Sequence, residues 1–159
     1  MSTTPILATQ GLTRRFGGLT AVNQVDIQIQ SGELIGLIGP NGAGKTTLFN
    51  LLMGLIKPSS GEVYLQGQRI TGFKPHQVAR LGMVKTFQNV ALFPDMTVLD
   101  NVLTGGLLRL SLHDARELAR HNLARVGMAH IADKKAADLT FPEKALVEMA
   151  RALCTQPRV

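Results

Sequence analysis

The stretch Gly39-Pro40-Asn41-Gly42-Ala43-Gly44-Lys45-Thr46-Thr47 decides how this chain is read. It follows an apolar run, Leu34-Ile35-Gly36-Leu37-Ile38, whose composition predicts a buried parallel strand. It precedes Leu48-Phe49-Asn50-Leu51-Leu52-Met53, which predicts a helix. Strand, glycine-rich turn and helix form the context in which G-x-x-x-x-G-K-[ST] marks a phosphate-binding loop. Gly39, Gly42 and Gly44 are expected to take positive φ and to let the backbone approach phosphate with no Cβ in the way. The N–H groups of such a loop, backed by the positive end of the following helix, cradle an anion. Lys45 would reach the β- and γ-phosphates, and the Thr46 hydroxyl would ligate Mg²⁺. A plain turn requires no Lys-Thr at this spacing. The motif points to a nucleoside triphosphate.

Length and composition fit that reading. At 159 residues and 45% apolar, the chain has the size and composition of one ordered domain with a sizeable core. A single cysteine, Cys154, excludes a disulfide framework and suits a reducing cytosol. The N-terminal residues show no basic and apolar pattern of a secretory signal, and no apolar run is long enough to cross a bilayer. Any membrane association is therefore expected to run through a protein partner. The formal charge is +6, which raises nucleic acid as a partner. The basic residues are scattered, however (Arg14, Arg15, Arg80, Lys85, Arg109, Lys134, Lys135), with no aromatic platform between them. A solvated basic surface is the better reading, and no nucleic-acid partner is expected.

Around the loop, Ile6 to Arg15 and Val22 to Gln30 predict two strands of an antiparallel pair. In the second, Val25, Ile27 and Ile29 alternate with Asp26, Gln28 and Gln30, the pattern of a strand with one wet face. Glu62 to Leu65 and Gln68 to Ile70 predict a hairpin around Gly67, and Pro75 to Leu81 a short helix. Met83 to Phe87 is a further strand candidate. The pattern then turns helical. Thr97 with Asp100, and Ser111 with Asp114, mark helix starts; Gly105-Gly106 is an interruption and Gly127 a stop. A last helix begins near Thr140, with Leu146, Met149, Ala150 and Leu153 as its apolar stripe. The four histidines, His76, His113, His121 and His130, read as solvated or locally structural.

With these residues in place, the chain resembles the ATP-binding subunit of an ABC transporter along essentially its whole length. The resemblance implies an α/β fold: a P-loop NTPase (RecA-like) core, an N-terminal antiparallel β subdomain and an α-helical insertion. It implies a division into residues 1–88 (β subdomain and loop-bearing core), 89–138 (helical subdomain) and 139–159 (a signature-like helix returning to the core). Phe16 then looks like the family's adenine-stacking aromatic, with Val22 close behind it, and Asn41, Gly42, Ala43, Gly44, Lys45, Thr46 and Thr47 hold the phosphates. Phe16 also reads as a core aromatic at a strand end. Thr86-Phe87-Gln88-Asn89 looks like the family's glutamine loop, where Gln88 would touch Mg²⁺ and the attacking water. The implied cofactors are ATP and Mg²⁺. The implied partners are a second ATP-binding subunit, identical or different, and membrane-embedded permease subunits. That places the chain peripherally at the cytoplasmic face of the inner membrane. Within the family the chain is most similar to importers of branched-chain amino acids, a likeness carried by residues 35–50, 86–89 and 96–102. Urea or short-amide importers and lipopolysaccharide export use similar subunits.

The sequence also departs from the family pattern. Where the family carries L-S-G-G-Q, this chain has Leu139-Thr140-Phe141-Pro142-Glu143. Pro142 lacks an N–H, and Glu143 brings negative charge toward the partner subunit's ATP. The same residues, T-x-x-E, spell a helix capping box that needs no nucleotide. Both readings stand at this point. The family's Asp-Glu strand and switch histidine have no counterpart before Val159, so the C-terminal part of the core is expected to be absent. A parallel core without its later strands would leave a buried-type edge exposed. Taken alone, the chain is expected to bind ATP poorly and scarcely hydrolyse it. The leading reading is an importer ATPase subunit represented by its N-terminal portion; the alternative is a natural short form, a non-hydrolysing module that occupies the transporter interface.

Overall fold

The computed structural model of the chain describes residues 4–86 and 91–159. Strand β1 (Leu7–Phe16) pairs antiparallel with β2 (Leu19–Ile29) and, on its other side, with β3 (Ser60–Leu65). A short β4 (Gln68–Arg69) completes a sheet of order β2-β1-β3-β4. The predicted antiparallel pair and hairpin are both present. Between β3 and β4 the turn is Gln66-Gly67, with φ of 51° and 77°. Two successive positive φ values are what a two-residue hairpin turn matched to strand twist demands.

β1 is irregular, and buried threonines make it so. Its register against β2 shifts beyond Thr9. There the Thr9 hydroxyl donates to Val25 O at 2.8 Å and accepts from Ile27 N at 3.0 Å. The Thr13 hydroxyl accepts from Gln24 N at 2.9 Å and donates to Gly11 O at 3.0 Å. These side chains supply bonds that the shifted ladder cannot, so the buried backbone stays satisfied through the bulges.

Helix α1 (Lys45–Leu52) buries Leu48, Leu51 and Leu52, as its sequence predicts. The segment before it does not behave as predicted. Leu34–Ile38 forms no strand; Leu34 is 99% and Ile38 95% exposed. The described part of the second candidate, residues 83–86, forms no strand either. The reason is pairing. A parallel strand gains its ladder and its burial from neighbours on each side. Among the described residues no strand lies alongside either segment, and the one sheet is wholly antiparallel. Helix α2 (Pro75–Arg80) follows the hairpin.

The chain divides into two compact units, Met1–Leu81 with Val159, and Gly82–Arg158. The second unit is helical: α3 (Val98–Gly106), α4 (Leu112–Arg125), two 3₁₀ turns (Ala129–Ile131 and Ala136–Asp138) and α5 (Phe141–Cys154). Its core joins Val98, Val102, Ala115, Leu123, Val147 and Ala150 with their neighbours. The caps follow the sequence. Asp100 N donates to Thr97 Oγ1 at 3.0 Å, and Asp114 N to Ser111 Oγ at 3.2 Å. At the end of α4, Gly127 (φ 75°) donates to Ala124 O and Met128 N to Leu123 O, a complete Schellman closure.

Two helical expectations need correction. Gly105-Gly106 does not interrupt α3; both glycines lie within its last turn. They are small because neighbours come close: a Cβ on Gly105 would fall on the Arg151 carbonyl oxygen, and one on Gly106 would lie 2.9 Å from the Ala115 Cβ. The buried stripe of α5 is Val147, Glu148, Ala150 and Cys154, whereas Met149 is 49% exposed. Gly105 of α3 comes close to the Arg151 carbonyl and the Cys154 Cβ of α5, and Val147, Ala150 and Cys154 join the core.

Candidate nucleotide-binding loop

The loop enters α1 through residues whose backbone only glycine adopts freely. Gly42 has φ 86° and Gly44, the N-cap of α1, has φ 85°. A Cβ on Gly44 would also fall on the Ala21 carbonyl oxygen, so the loop is seated directly against β2 beside the buried Val22. Gly39 departs from expectation: its φ is not positive, and its need for smallness is a Cβ position 3.3 Å from the Ala43 Cβ. The turn is closed by Ala43 N donating to Pro40 O at 3.2 Å, and the helix by Leu48 N donating to Gly44 O at 2.8 Å.

Lys45 folds back over this loop. Its Nζ donates to Gly39 O at 2.6 Å and Pro40 O at 2.8 Å. An ammonium is thus held on the loop's own carbonyls, at the N-terminal end of a helix whose first N–H groups have no intrahelical acceptor. Asn41, Gly42, Ala43 and Thr46 are exposed, while Thr47 is half-buried. The arrangement fits a phosphate group. It combines a glycine-lined cradle, a helix N-terminus and a cation that can exchange carbonyl partners for anionic oxygens.

Phe16 ends β1 opposite Leu19 and is 45% exposed, so it is not a core aromatic. The Arg14 guanidinium carbon lies 4.5 Å from the ring centroid, and Arg14 also donates to Lys57 O at 2.9 Å. Sequence reading passed over Arg14 in this role; the available signal was its i, i+2 spacing, which puts both side chains on one face of a strand. Gln88 lies outside the described residues.

Thr140, Phe141, Pro142 and Glu143 belong to the helical unit. There they form the capping box at the start of α5: Thr140 N donates to Glu143 Oε2 at 2.7 Å, and the Thr140 hydroxyl donates to the same oxygen at 2.8 Å. Those bonds, the backbone one foremost, hold the Glu143 carboxyl below its ordinary value of 4.5, against a smaller desolvation effect and with help from Lys134 and His130. A depressed carboxyl adds stability at pH above its unfolded value and loses it as pH falls through the folded one. The first turn of α5 is therefore expected to fray in acid, below the ordinary Glu range. Amide exchange at residues 140–144, followed from neutral pH downward, checks this.

With the geometry established, comparison with known proteins defines the class. The family model described as "ABC transporter" matches residues 22–159. The chain belongs to the ABC transporter family. It is 41% identical to the high-affinity branched-chain amino acid transport ATP-binding protein BraF of Pseudomonas aeruginosa, over 98% of this chain and 67% of that protein. Among solved structures it is similar to the ADP conformation of MJ1267, an ATP-binding cassette of an ABC transporter, with a TM-score of 0.85, 34% identity and coverage of 98% of this chain and 66% of that one. It is also similar to the dimeric structure of MJ0796, a bacterial ABC transporter cassette, with a TM-score of 0.82, 26% identity and coverage of 95% and 70%. The chain thus spans about two thirds of the length of the proteins it matches. No helix among the described residues is long and apolar enough to cross a membrane.

Proposed function

We propose that this chain is part of the ATP-binding subunit that powers import of branched-chain amino acids. The observation that carries this reading is the Lys45 loop: left-handed Gly42 and Gly44 at the start of α1, with the ammonium held across the loop. The relatives' names supply the substrate class.

In this reading Asn41 to Thr47 bind the phosphates through their backbone N–H groups, and Lys45 neutralises the β- and γ-oxygens. Phe16 stacks on the base, with Arg14 steadying the opposite side of the ring, and Val22 supports the loop from behind. Thr46 and Gln88 hold Mg²⁺, and Gln88 orients the attacking water. When bound, Mg²⁺-ATP supplies the phosphoanhydride whose binding and cleavage drive subunit closure. Residues 1–88 act as the nucleotide-holding part, 89–138 as the helical subdomain toward the permease, and 139–159 as the helix returning to the core. Thr140 to Glu143 face the ATP of a second subunit. The partners are that subunit and the permease proteins, at the cytoplasmic face of the inner membrane. The third of the family's length beyond this sequence is where the reading places the Mg²⁺-holding Asp and the general base.

Uptake of radiolabelled leucine, isoleucine and valine tests this. Cells lacking the gene should lose high-affinity uptake, the wild-type gene should restore it, and the Lys45→Ala gene should not. Unchanged uptake of all three after deletion contradicts the substrate class.

A further inference from the structure

Phe16 stands where the backbone around it gives little support. It ends β1, and Gly17-Gly18 follow, around which an added Cβ would meet nothing within 4 Å, so the turn does not wedge the ring. An exposed aromatic of this kind loses rotamer freedom when a ligand fixes it. That loss is subtracted from affinity unless the ring is already held.

The group that holds it is Arg14. The guanidinium carbon lies over the ring, 4.5 Å from its centroid, and Nη1 donates to Lys57 O at 2.9 Å. That carbonyl belongs to a turn fastened to β1 by two further bonds. Ser59 N donates to Thr13 O at 2.8 Å, and Arg15 N donates to Ser59 Oγ at 3.0 Å. Among the described residues, the Arg14 Nε is the one buried side-chain nitrogen or oxygen without a hydrogen-bond partner. A charged donor taken out of water with no acceptor is costly, and the negative face of an aromatic ring offsets that cost here. The guanidinium needs the ring, and the ring is fixed by a guanidinium that is itself fixed to the turn at residues 57–59.

We propose that Arg14 is a positioning residue for the nucleotide base: it locks the Phe16 ring to the turn that follows α1, so that the ring is set for stacking before the nucleotide arrives. This rests on the reading of Phe16 as the base-stacking residue. Arg14 acts through the ring and not on the phosphates, which separates its role from that of Lys45. Its loss should therefore lower the part of the affinity that comes from the base and leave the part that comes from the phosphates.

Isothermal titration of the full-length subunit with ATP and, separately, with inorganic tripolyphosphate tests the proposal, both in EDTA so that nothing is hydrolysed. Tripolyphosphate offers the phosphates without a base. Arg14→Met keeps an apolar stem and removes the cation. It should weaken ATP about fivefold, the size of a partly desolvated cation–π contact, and leave tripolyphosphate unchanged. Arg14→Lys, which keeps a cation for the ring, should stay within about twofold of the wild type. In a Phe16→Ala background Arg14→Met should cost nothing further, because the ring through which it acts is gone. Equal weakening of ATP and tripolyphosphate by Arg14→Met, unchanged ATP affinity in that variant, or the same loss persisting without Phe16 overturns the proposal while the stacking reading stands. ATP affinity unmoved by Phe16→Ala overturns that reading and the proposal with it.

Discussion

Asn101→Ala is expected to destabilise the helical unit by about 3 kcal/mol, a large share of a domain's total stability. Asn101 is fully buried in α3. Its Oδ1 accepts from Phe93 N at 2.8 Å, and its Nδ2 donates to Phe93 O at 3.0 Å and Thr97 O at 2.9 Å. One amide therefore ties the loop 93–97 to the helix that follows it. Alanine removes the partner and leaves the Phe93 N–H and C=O without it, and that desolvation penalty outweighs the bonds' net worth. Asn101→Asp separates donor from acceptor. It keeps the oxygen that holds the Phe93 N–H but loses the amide donors and buries a charge. The Asp variant should therefore be weakened most at neutral pH and partly recover as the carboxyl is protonated. Chemical denaturation followed by circular dichroism gives the loss. Faster amide exchange in α3 and the preceding loop, with little change in the β unit, places it.

Gly105→Ala reverses a general rule. In an exposed helix interior, glycine to alanine gains about 0.5–1 kcal/mol from reduced backbone freedom. Here the added Cβ falls on the Arg151 carbonyl oxygen of α5 and lies 3.2 Å from the Cys154 Cβ. The two helices must part, which costs about 3 kcal/mol as overpacking of a dense core. Gly18→Ala is the control. Its Cβ meets nothing within 4 Å, and its φ is not positive. A lowered melting temperature for Gly105→Ala alone confirms the close approach. Equal stability of both variants contradicts it.

What was legible in the sequence was whatever depends on local chemistry. The left-handed Gly42 and Gly44 before α1, the caps at Thr97, Ser111 and Thr140, the Gly127 stop and the Gly67 hairpin each need particular residues at fixed spacing, and the structure shows them there. What was not legible depends on neighbours distant in sequence. Leu34–Ile38 is apolar enough for a central strand, but apolar composition does not supply the strands on either side, and the segment stands exposed. Gly105-Gly106 read as a break because glycine lowers helix propensity. Its meaning lies in Ala115 on the next helix and in Arg151, more than forty residues on. The α5 stripe was right at Ala150 but otherwise misplaced, because size guided the choice toward Leu146, Met149 and Leu153, while Val147 and Cys154 lie inside. Asn101 offered only a polar residue in an apolar run. Its backbone partners, Phe93 N and the Phe93, Met96 and Thr97 carbonyls, come from a loop that no periodicity announces.

Lys45, on the loop before α1, is proposed to bind the phosphates of ATP. Isothermal titration of ATP with Mg²⁺ into the full-length subunit, wild type and Lys45→Ala, tests it most directly. Losing a charged donor from two phosphate contacts should weaken binding by about a hundredfold, ~2.7 kcal/mol, with the fold intact by circular dichroism. Saturable binding in the wild type that falls by that order in the variant is the predicted result. Equal binding by both proteins, or none by the wild type, contradicts the account.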